Sequence, residues 1–457
     1  MMSTRLGFLR RHWRRVLLGV VTLLGALAVT GYVLLERARR GPPLPVCSAP
    51  ALRRQAFAGP TQLTGRKSPG SYGNEPAAAL LPSGALAILY QAHAGVFAEN
   101  GLGVATVAPD GHVEERPLKS DRKRHFDAWM TADPQGTLHA VWLGHDGGRP
   151  DRRGQIRYAT SRDGLDWAVG APVHDAAVDC PNDLPGCLDK PMIAWAGDAA
   201  LVVYFSEPGD GMKAVRVVSG KAAGPSVKVG EGAYGDLTVA PSGIVHVTYV
   251  TFAEPEVNMF GDRRVHVDVV RSDDAGRSFG KPVRVSAEGE PVPFFFSNAQ
   301  VAFDEARGFL YVVYPTGSGD GRWDLTLAAS RDGGKSWQRA RVNDDAPCAN
   351  HMTPKAVLDG KTGTLHVIWL ENRTGKGGVA YAACEPGGAR CSANEAVSEA
   401  PFASYTFARH RSDWVGEYTA LVLDAERRTL HAVWAQPVDE DGEAVSRIFH
   451  ARAALSP

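Results

Sequence analysis

The chain has 457 residues, of which 50 are basic and 50 acidic, so its formal net charge is zero. That balance produces no overall field that would attract nucleic acid, and we expect no nucleic-acid partner. The 50 glycines and 30 prolines favour a fold with many turns and few helices.

The N-terminal segment has the pattern of a membrane anchor. Residues 16–35 (VLLGVVTLLGALAVTGYVLL) hold 20 positions without a charge, which is long enough to cross a bilayer as a helix. Arginines are more numerous before this segment than after it, which favours a cytoplasmic N-terminus. We therefore predict a cytoplasmic tail over 1–15, a transmembrane signal anchor over 16–35, a linker over 36–54 and a folded domain over 55–457, periplasmic or extracellular. The alternative is a signal peptide cleaved after the small residues Ala26 and Ala28, which would give a secreted protein.

Seven apolar phrases, each ending in an aromatic residue, follow the anchor. The phrases are GALAILY (84–90), GTLHAVW (136–142), AALVVY (199–204), GIVHVTY (243–249), GFLYVVY (308–314), GTLHVIW (363–369) and RTLHAVW (428–434). A repeat of this length built from short β-branched and aromatic strands predicts an all-β radial array of small sheets, which is the architecture of a β-propeller.

Each repeat can be divided into four strands, here called A to D from the first to the last. In the second repeat they are FDAWMTADP (126–134), TLHAVWLG (137–144), IRYATS (156–161) and WAVGAPVH (167–174). Seven A–B pairs predict seven blades, with six blades as the alternative if one pair is an insertion. The last repeat lacks a D strand, and residues 55–65 (QAFAGPTQLTG) resemble one. We expect this N-terminal strand to complete the last blade and close the ring.

A turn signature recurs between strands C and D. It reads SRDGGKSW (330–337), SDDAGRSF (272–279) and, one residue shorter, SRDGLDW (161–167). This phrase resembles the Asp-box, or BNR repeat, of the sialidase superfamily of β-propellers, and the resemblance covers roughly residues 55–457. It implies that Asp163, Asp274 and Asp332 accept backbone N–H bonds within these turns and are structural. Sialidases characteristically have six blades, so seven would be a departure.

Six cysteines fit an exported domain. Cys180 and Cys187 are seven residues apart, as are Cys384 and Cys391, and Cys47 and Cys348 remain. In the sixth repeat, Cys384 and Cys391 occupy the places that serine and the aromatic residue take in the turn signature. We therefore predict a disulfide that clamps this turn, besides a second one between Cys180 and Cys187.

The candidate ligand site lies on the face opposite these turns, because the D–A and B–C connections of a propeller share that face, here called the funnel face. Polar residues gather where each A strand begins, and the B–C connections add cations. The predicted ligand-binding residues are Glu75, Asp189, Lys190, Asp236, Asn298, Arg152, Arg264, Lys355 and Arg373. Carboxylates, arginines and tyrosines converging on one concavity suit an anionic sugar. The alternative is that the mouth of the propeller is polar only because water fills it.

A catalytic role is the second hypothesis for the funnel face. The sialidase resemblance implies an arginine triad for the substrate carboxylate, a tyrosine–glutamate nucleophile pair and an aspartate acid/base, so the candidates are Tyr418, Glu417, Asp127 and Arg263. The early arginine motif of sialidases is absent. Glu417 and Tyr418 are adjacent, and on a strand they would point to opposite faces and could not pair.

Two functions follow from this pattern. The first is a membrane-anchored propeller that binds a glycan or protein ligand without catalysis. The alternative is an exo-sialidase-type glycoside hydrolase acting on anionic sugars. No cofactor and no metal are predicted, since the histidines His139, His246, His366 and His431 recur at one position of strand B and indicate packing.

Overall fold

The computed structural model describes residue 30 and residues 49–93, 100–120, 122–145, 154–175, 188–206, 211–252, 265–293, 298–318, 322–345, 349–399, 401–402 and 415–456. From residue 49 onward these residues belong to one compact unit. The predicted tail over 1–15 and, apart from residue 30, the predicted anchor over 16–35 lie outside the described residues. Within the described ranges, no helix combines the length and the apolar character needed to span a bilayer.

The described domain is built of short antiparallel strands. In the first half of the domain they are β1 (Thr61–Gln62), β2 (Tyr72–Leu80), β3 (Leu86–His93), β4 (Asn100–Val107), β5 (Val113–Leu118), β6 (Arg124–Ala132), β7 (Leu138–His145), β8 (Gln155–Ser161), β9 (Ala168–Val169), β10 (His174–Asp175), β11 (Leu188–Ala196), β12 (Ala199–Ser206), β13 (Gly211–Val218), β14 (Lys221–Ala222) and β15 (Val227–Gly230). In the second half they are β16 (Ala233–Val239), β17 (Val245–Phe252), β18 (Val265–Ser272), β19 (Val283–Arg284), β20 (Gln300–Asp304), β21 (Phe309–Ser318), β22 (Arg322–Ser330), β23 (Gln338–Arg341), β24 (His351–Leu358), β25 (Leu365–Glu371), β26 (Gly378–Cys384), β27 (Glu395–Ala396), β28 (Ala420–Asp424), β29 (Thr429–Glu440) and β30 (Glu443–Ala454).

These strands form seven separate sheets, which are the blades of a propeller. In chain order the blades are I (β2 to β5), II (β6 to β10), III (β11 to β15), IV (β16 to β19), V (β20 to β23), VI (β24 to β27) and VII (β28, β29, β30 and β1). The first strands of successive blades contact one another around the ring, and β28 contacts β2. The predicted all-β propeller and its seven blades are confirmed, and the six-blade alternative is not.

The N-terminal strand closes the ring as the sequence predicts. Thr61 pairs with His450 and Gln62 with Phe449, so β1 is the outer strand of blade VII. In blade II the predicted D strand over 167–174 is instead two short pieces, β9 and β10, that pair separately with β8.

The seven aromatic residues that end the repeated phrases are core residues. Tyr90, Trp142, Tyr204, Tyr249, Tyr314, Trp369 and Trp434 are each at most 1% exposed. They pack so closely that a Cβ at Gly103, on the neighbouring strand β4, would overlap the Tyr90 ring. The repeat is therefore a packing pattern.

The histidines of the second strands also pack. His139, His246, His366 and His431 are all buried, and each lies against another ring. The His246 ring centroid lies 4.8 Å from that of Phe303, and His366 Nδ1 lies 2.7 Å from the hydroxyl of Tyr381.

The three turns with the aspartate signature are closed as the resemblance implies. Asp274 Oδ1 accepts the backbone N–H groups of Arg277 at 3.0 Å and Ser278 at 2.8 Å. Asp332 Oδ1 accepts the N–H of Ser336 at 2.9 Å, and Asp163 Oδ1 accepts that of Leu165, also at 2.9 Å. Burial raises the pKa of Asp274, but the hydrogen bonds from the Ser278 hydroxyl and from these backbone N–H groups outweigh burial and lower that pKa to about 2.

Blade VI carries the predicted disulfide between Cys384 and Cys391 at the equivalent turn. The other predicted pair, Cys180 and Cys187, lies outside the described residues, as do Cys47 and Cys348. The cysteine pair thus replaces the aspartate signature in one blade.

Candidate functional site

The funnel-face end of the innermost strands carries a repeated backbone irregularity. Five non-glycine residues there have positive φ angles between 49° and 54°: Glu75, Asp127, Lys190, Tyr234 and Thr353. Each coincides with a shift in the register between the first and second strands of its blade. A left-handed conformation costs an L-residue roughly 1–2 kcal/mol. Such bulges redirect side chains, and strain of this kind is concentrated at functional sites.

Lys190 is the centre of the polar group that these bulges assemble, here called the axial cluster. Its ammonium lies 2.6 Å from Asp127 Oδ1 and 2.7 Å from Glu417 Oε2, so one side chain joins blades III, II and VII. Burial by itself lowers the pKa of Lys190, but the carboxylates of Asp127 and Glu417 outweigh burial and hold that pKa well above its ordinary value. Lys190 is therefore a permanent cation at the axis.

Two further carboxyl groups of the axial cluster hold protons near neutral pH. Glu75 accepts the backbone N–H of Glu417 at 3.0 Å and a hydrogen bond from the amide of Gln91. Burial, assisted by the Asp127 carboxylate, raises the pKa of Glu75 to about 8. The same two causes raise the pKa of Asp189 to about 7. Protonated and ionised carboxyl groups therefore stand side by side, which is an arrangement used in acid–base catalysis.

Tyr418 adds a phenol to the axial cluster. Its hydroxyl donates to Asp127 Oδ1 at 2.9 Å, and the centroid of its ring lies 4.7 Å from the Lys190 ammonium, which sits over the ring face. Burial and the nearby carboxylates raise the pKa of Tyr418 well above its ordinary value. Tyr418 is consequently a neutral hydrogen-bond donor at neutral pH.

The expectation that Glu417 and Tyr418 point to opposite faces is wrong. Both residues precede β28, which begins at Ala420, so strand alternation does not apply to them. Gly416, with a φ of 84°, turns the chain before them, and a Cβ there would overlap the Glu75 side chain. Glu417 reaches Lys190 while Tyr418 reaches Asp127, so both side chains lie in the axial cluster.

The remaining side of the axial cluster is formed by Asp236, Lys355 and Trp129. The Lys355 ammonium lies 3.4 Å from Asp236 Oδ1 and 4.3 Å from the centre of the Trp129 ring. A central channel of about 550 Å³, lined by the innermost strands, reaches these residues and Tyr418. The site thus combines carboxylates, cations and two aromatic rings next to an open space.

Most of the predicted site residues that lie within the described ranges converge at the axis. The residues brought together are Glu75, Asp127, Asp189, Lys190, Asp236, Asn298, Lys355, Glu417 and Tyr418. Arg152, Arg263 and Arg264 lie outside the described residues.

Arg373 does not join the axial cluster, which corrects its prediction as a ligand-binding residue. Its guanidinium is 4% exposed and contacts Glu371 at 2.7 Å and Asp344 at 3.1 Å. It also donates to Asn394 at 3.0 Å. Because these partners occupy it, Arg373 stabilises the contact between blades V and VI.

Sequence reasoning missed four residues of the site: Gln91, Trp129, Tyr234 and Thr353. A signal for the bulges is present in the sequence. Proline follows the left-handed residue at Glu75, Lys190 and Thr353, and proline within a strand is typical of bulges. A polar residue followed by proline near the start of a first strand would therefore have indicated three of the five bulged positions.

Comparisons with known proteins bear on the fold. No protein-family model and no curated protein match the chain. Among solved structures, the chain is similar to a protein of unknown function from Dyadobacter fermentans, at 12% identity over 91% of this chain and 99% of that chain, with a TM-score of 0.52. It is also similar to an α-L-arabinanase from Penicillium chrysogenum (13% identity, 87% and 98% covered, TM-score 0.48). A sialidase from Trypanosoma rangeli is a third such structure (15% identity, 89% and 59% covered, TM-score 0.46). At 12% identity, the similarity to the Dyadobacter fermentans protein shows a shared fold alone.

Proposed function

We propose that the protein is an exported propeller that binds a glycan at its funnel face. The observation that supports this proposal is the axial cluster, in which side chains from several blades meet beside the central channel. Sugar hydroxyls both donate and accept hydrogen bonds, so carboxylates, ammonium groups and amides at one place complement them. Trp129 and Tyr418 add apolar ring faces at the same end of the channel.

The charge of the axial cluster favours a neutral sugar. Its carboxyl groups belong to Glu75, Asp127, Asp189, Asp236 and Glu417, whereas the cations that contact these carboxyl groups in the described part of the chain are Lys190 and Lys355. No arginine of the described ranges contacts this group. An anionic sugar such as a sialoside would therefore depend on the loop arginines Arg152, Arg263 and Arg264.

Lys355→Met tests the binding proposal. Lys355 lies at the channel and makes a long contact with Asp236, so its loss should leave the fold intact. We expect the affinity for neutral oligosaccharides to fall by about tenfold, since a charge-assisted hydrogen bond contributes about 1.5–3 kcal/mol. Calorimetric titration of the full chain with a panel of neutral and sialylated oligosaccharides measures this.

The matched control for this variant is Arg390→Gln, on the opposite face, where Arg390 is 79% exposed. It should bind the panel like the parent protein. The proposal fails if folded parent protein binds no member of the panel, or if both variants bind with equal affinity.

Hydrolysis of a glycosidic bond is a second candidate function. The raised pKa of Glu75 favours it, because Glu75 then holds a proton near neutral pH. The carboxylates of Asp127 and Glu417 lie nearby on Lys190, and glycosidases pair a carboxylic acid with a carboxylate. In that case Glu75→Gln should abolish fluorophore release from the glycosides that the parent cleaves, while oligosaccharide binding remains. If folded parent protein releases no fluorophore from neutral glycosides or a sialoside between about pH 4 and 8, the hydrolase is excluded and the binding proposal stands.

We further propose that residues 16–35 anchor this propeller in a membrane with the domain outside the cytoplasm. The uncharged segment and the arginines that precede it support the membrane anchor. The full chain should remain with membranes after alkaline extraction, and Leu23→Arg/Leu24→Arg should release it, since each arginine at a helix centre costs about 2.5–3.5 kcal/mol. Release of the parent chain by the same extraction would contradict the anchor and favour the cleaved signal peptide.

A further inference from the structure

The grooves between neighbouring blades, on the face opposite the funnel, are covered in a regular way. In several blades the turn between strands C and D packs against the blade before it. In blade II, Gly164 packs against Ala87 of blade I, and in blade IV, Gly276 packs against Leu201 of blade III. In blade V, the Trp337 indole donates to Arg284 O of blade IV at 3.0 Å.

Two other grooves are covered by related means. In blade VI the disulfide-clamped turn contacts blade V, where Gly387 N donates to the Tyr311 hydroxyl at 2.8 Å. Between blades VI and VII the N-terminal segment takes this role, with the Phe57 ring 5.2 Å from the Tyr381 ring. The covering turn or segment thus fills each of these grooves.

The groove between blades VII and I differs because the turn of blade I is short. Ala108 N donates to His112 O and Gly111 N donates to Ala108 O, both at 2.8 Å. This turn has neither the aromatic residue of the aspartate signature nor a cysteine pair. The result is an open cavity of about 420 Å³ between blade VII, blade I and residues 55–58.

The walls of this cavity carry positive charge. Arg452 is held by a hydrogen bond from Nη1 to Pro109 O at 2.8 Å, which leaves its other guanidinium nitrogens without a partner among the described residues. Arg427 pairs with the buried Asp424 at 3.0 Å. Two guanidinium groups against one carboxylate give the cavity an excess of one positive charge.

His431 is a further lining residue of the same cavity. The residue is 9% exposed, and its Nδ1 lies 3.0 Å from Nε2 of His450. Its other ring nitrogen, Nε2, has no hydrogen-bond partner within the part of the chain that the structure describes. A largely buried imidazole beside two guanidinium groups is a hydrogen-bonding group that a ligand in the cavity can contact.

We infer that this cavity, the VII–I groove, is a second binding site, which takes a small ligand bearing a carboxylate or phosphate group. The anionic group contacts the Arg452 guanidinium and His431, while Ala58 and Pro109 contact the remainder of the ligand. This site lies on the face opposite the axial cluster and does not depend on the proposed glycan function.

Titration of the full chain with glucuronate, inorganic phosphate and neutral glucose tests this inference. At low ionic strength, where screening is weak, glucuronate or phosphate should bind and glucose should not. Arg452→Gln should weaken binding by about tenfold to a hundredfold, as expected for the loss of a charge-assisted contact. Ala58→Trp, at an exposed position of the wall, should abolish binding by filling the cavity.

Two control variants distinguish binding in the VII–I groove from attraction of anions to surface charge. Arg390→Gln, an exposed arginine on the same face, should leave anion binding unchanged, as should Lys355→Met at the axial cluster. In the parent protein, the bound anion should shift the His431 side-chain nitrogen resonances. The inference is overturned if neither anion binds with a Kd below about 1 mM, or if Arg390→Gln and Arg452→Gln weaken binding equally. Stronger binding of phosphate than of glucuronate would assign the phosphate class, and the reverse would assign a uronic acid.

Discussion

Lys190→Met should lower the free energy of unfolding at pH 7 by about 3–5 kcal/mol, which is the usual cost of leaving buried charges without their partner. The reason is that Lys190 compensates two buried carboxylates, those of Asp127 and Glu417, at 2.6 and 2.7 Å. The loss should shrink toward acidic pH, where the carboxyl groups take up protons and no longer need a cation. Chemical denaturation of both proteins at several pH values measures this difference.

The matched control is Lys228→Met, which removes a lysine from the exposed pair with Glu231, where the two side chains are 52% and 68% exposed. An exposed pair contributes little, so this variant should stay within about 0.5 kcal/mol of the parent. If Lys190→Met costs no more than Lys228→Met, Lys190 does not compensate the axial carboxylates.

Glu75→Gln should flatten the pH dependence of stability. The pKa of Glu75 is about 8 in the folded protein against an ordinary value of 4.5, so the folded state holds the proton more tightly than the unfolded state. The stabilisation that the bound proton of Glu75 gives to the folded state is fully present below about pH 4.5 and is lost as the pH rises through 8. Since one pKa unit corresponds to roughly 1.4 kcal/mol, the loss across this window is of the order of a few kcal/mol.

The glutamine variant has no proton to lose, so it should match the parent near pH 4.5 and exceed it in stability near pH 8. The amide also fits the site, because Gln91 Oε1 has no hydrogen-bond partner in the parent and can accept from it. Denaturation midpoints measured across the pH range give the two slopes. The control variant Glu426→Gln, on an exposed turn of blade VII, should keep the parent's slope of stability against pH. Equal slopes for Glu75→Gln and the parent would show that Glu75 does not hold this proton.

The fold was predictable because it depends on local patterns that repeat. The aromatic-ended strands and the aspartate signature each indicate a local conformation, and seven copies of a unit leave few ways to arrange it. The ring closure followed from the missing D strand, and the disulfide between Cys384 and Cys391 followed from their places in the repeat.

The arrangement of the site was less accessible to sequence reasoning, because it depends on departures from the repeat. Bulges and the turn at Gly416 change which side chains face the axis, so alternation gave the wrong orientation for Glu417 and Tyr418 and did not indicate Tyr234. The partners of Arg373 come from two different blades, and nothing in the local sequence shows that Asp344 and Asn394 occupy it. Residue types were predictable at the axis, whereas their contacts were not.

The pairing of β1 with β30 has a consequence for the order in which the protein folds. Thr61 leaves the ribosome long before its partner His450, and closing so long a stretch of chain is costly in entropy and slow. Until the last residues are available, the growing ring has two unpaired edges, which are the sites at which incomplete β-proteins associate wrongly. Completion of the propeller therefore comes after synthesis of nearly the whole chain, and a chain interrupted before β30 would retain an open, association-prone edge.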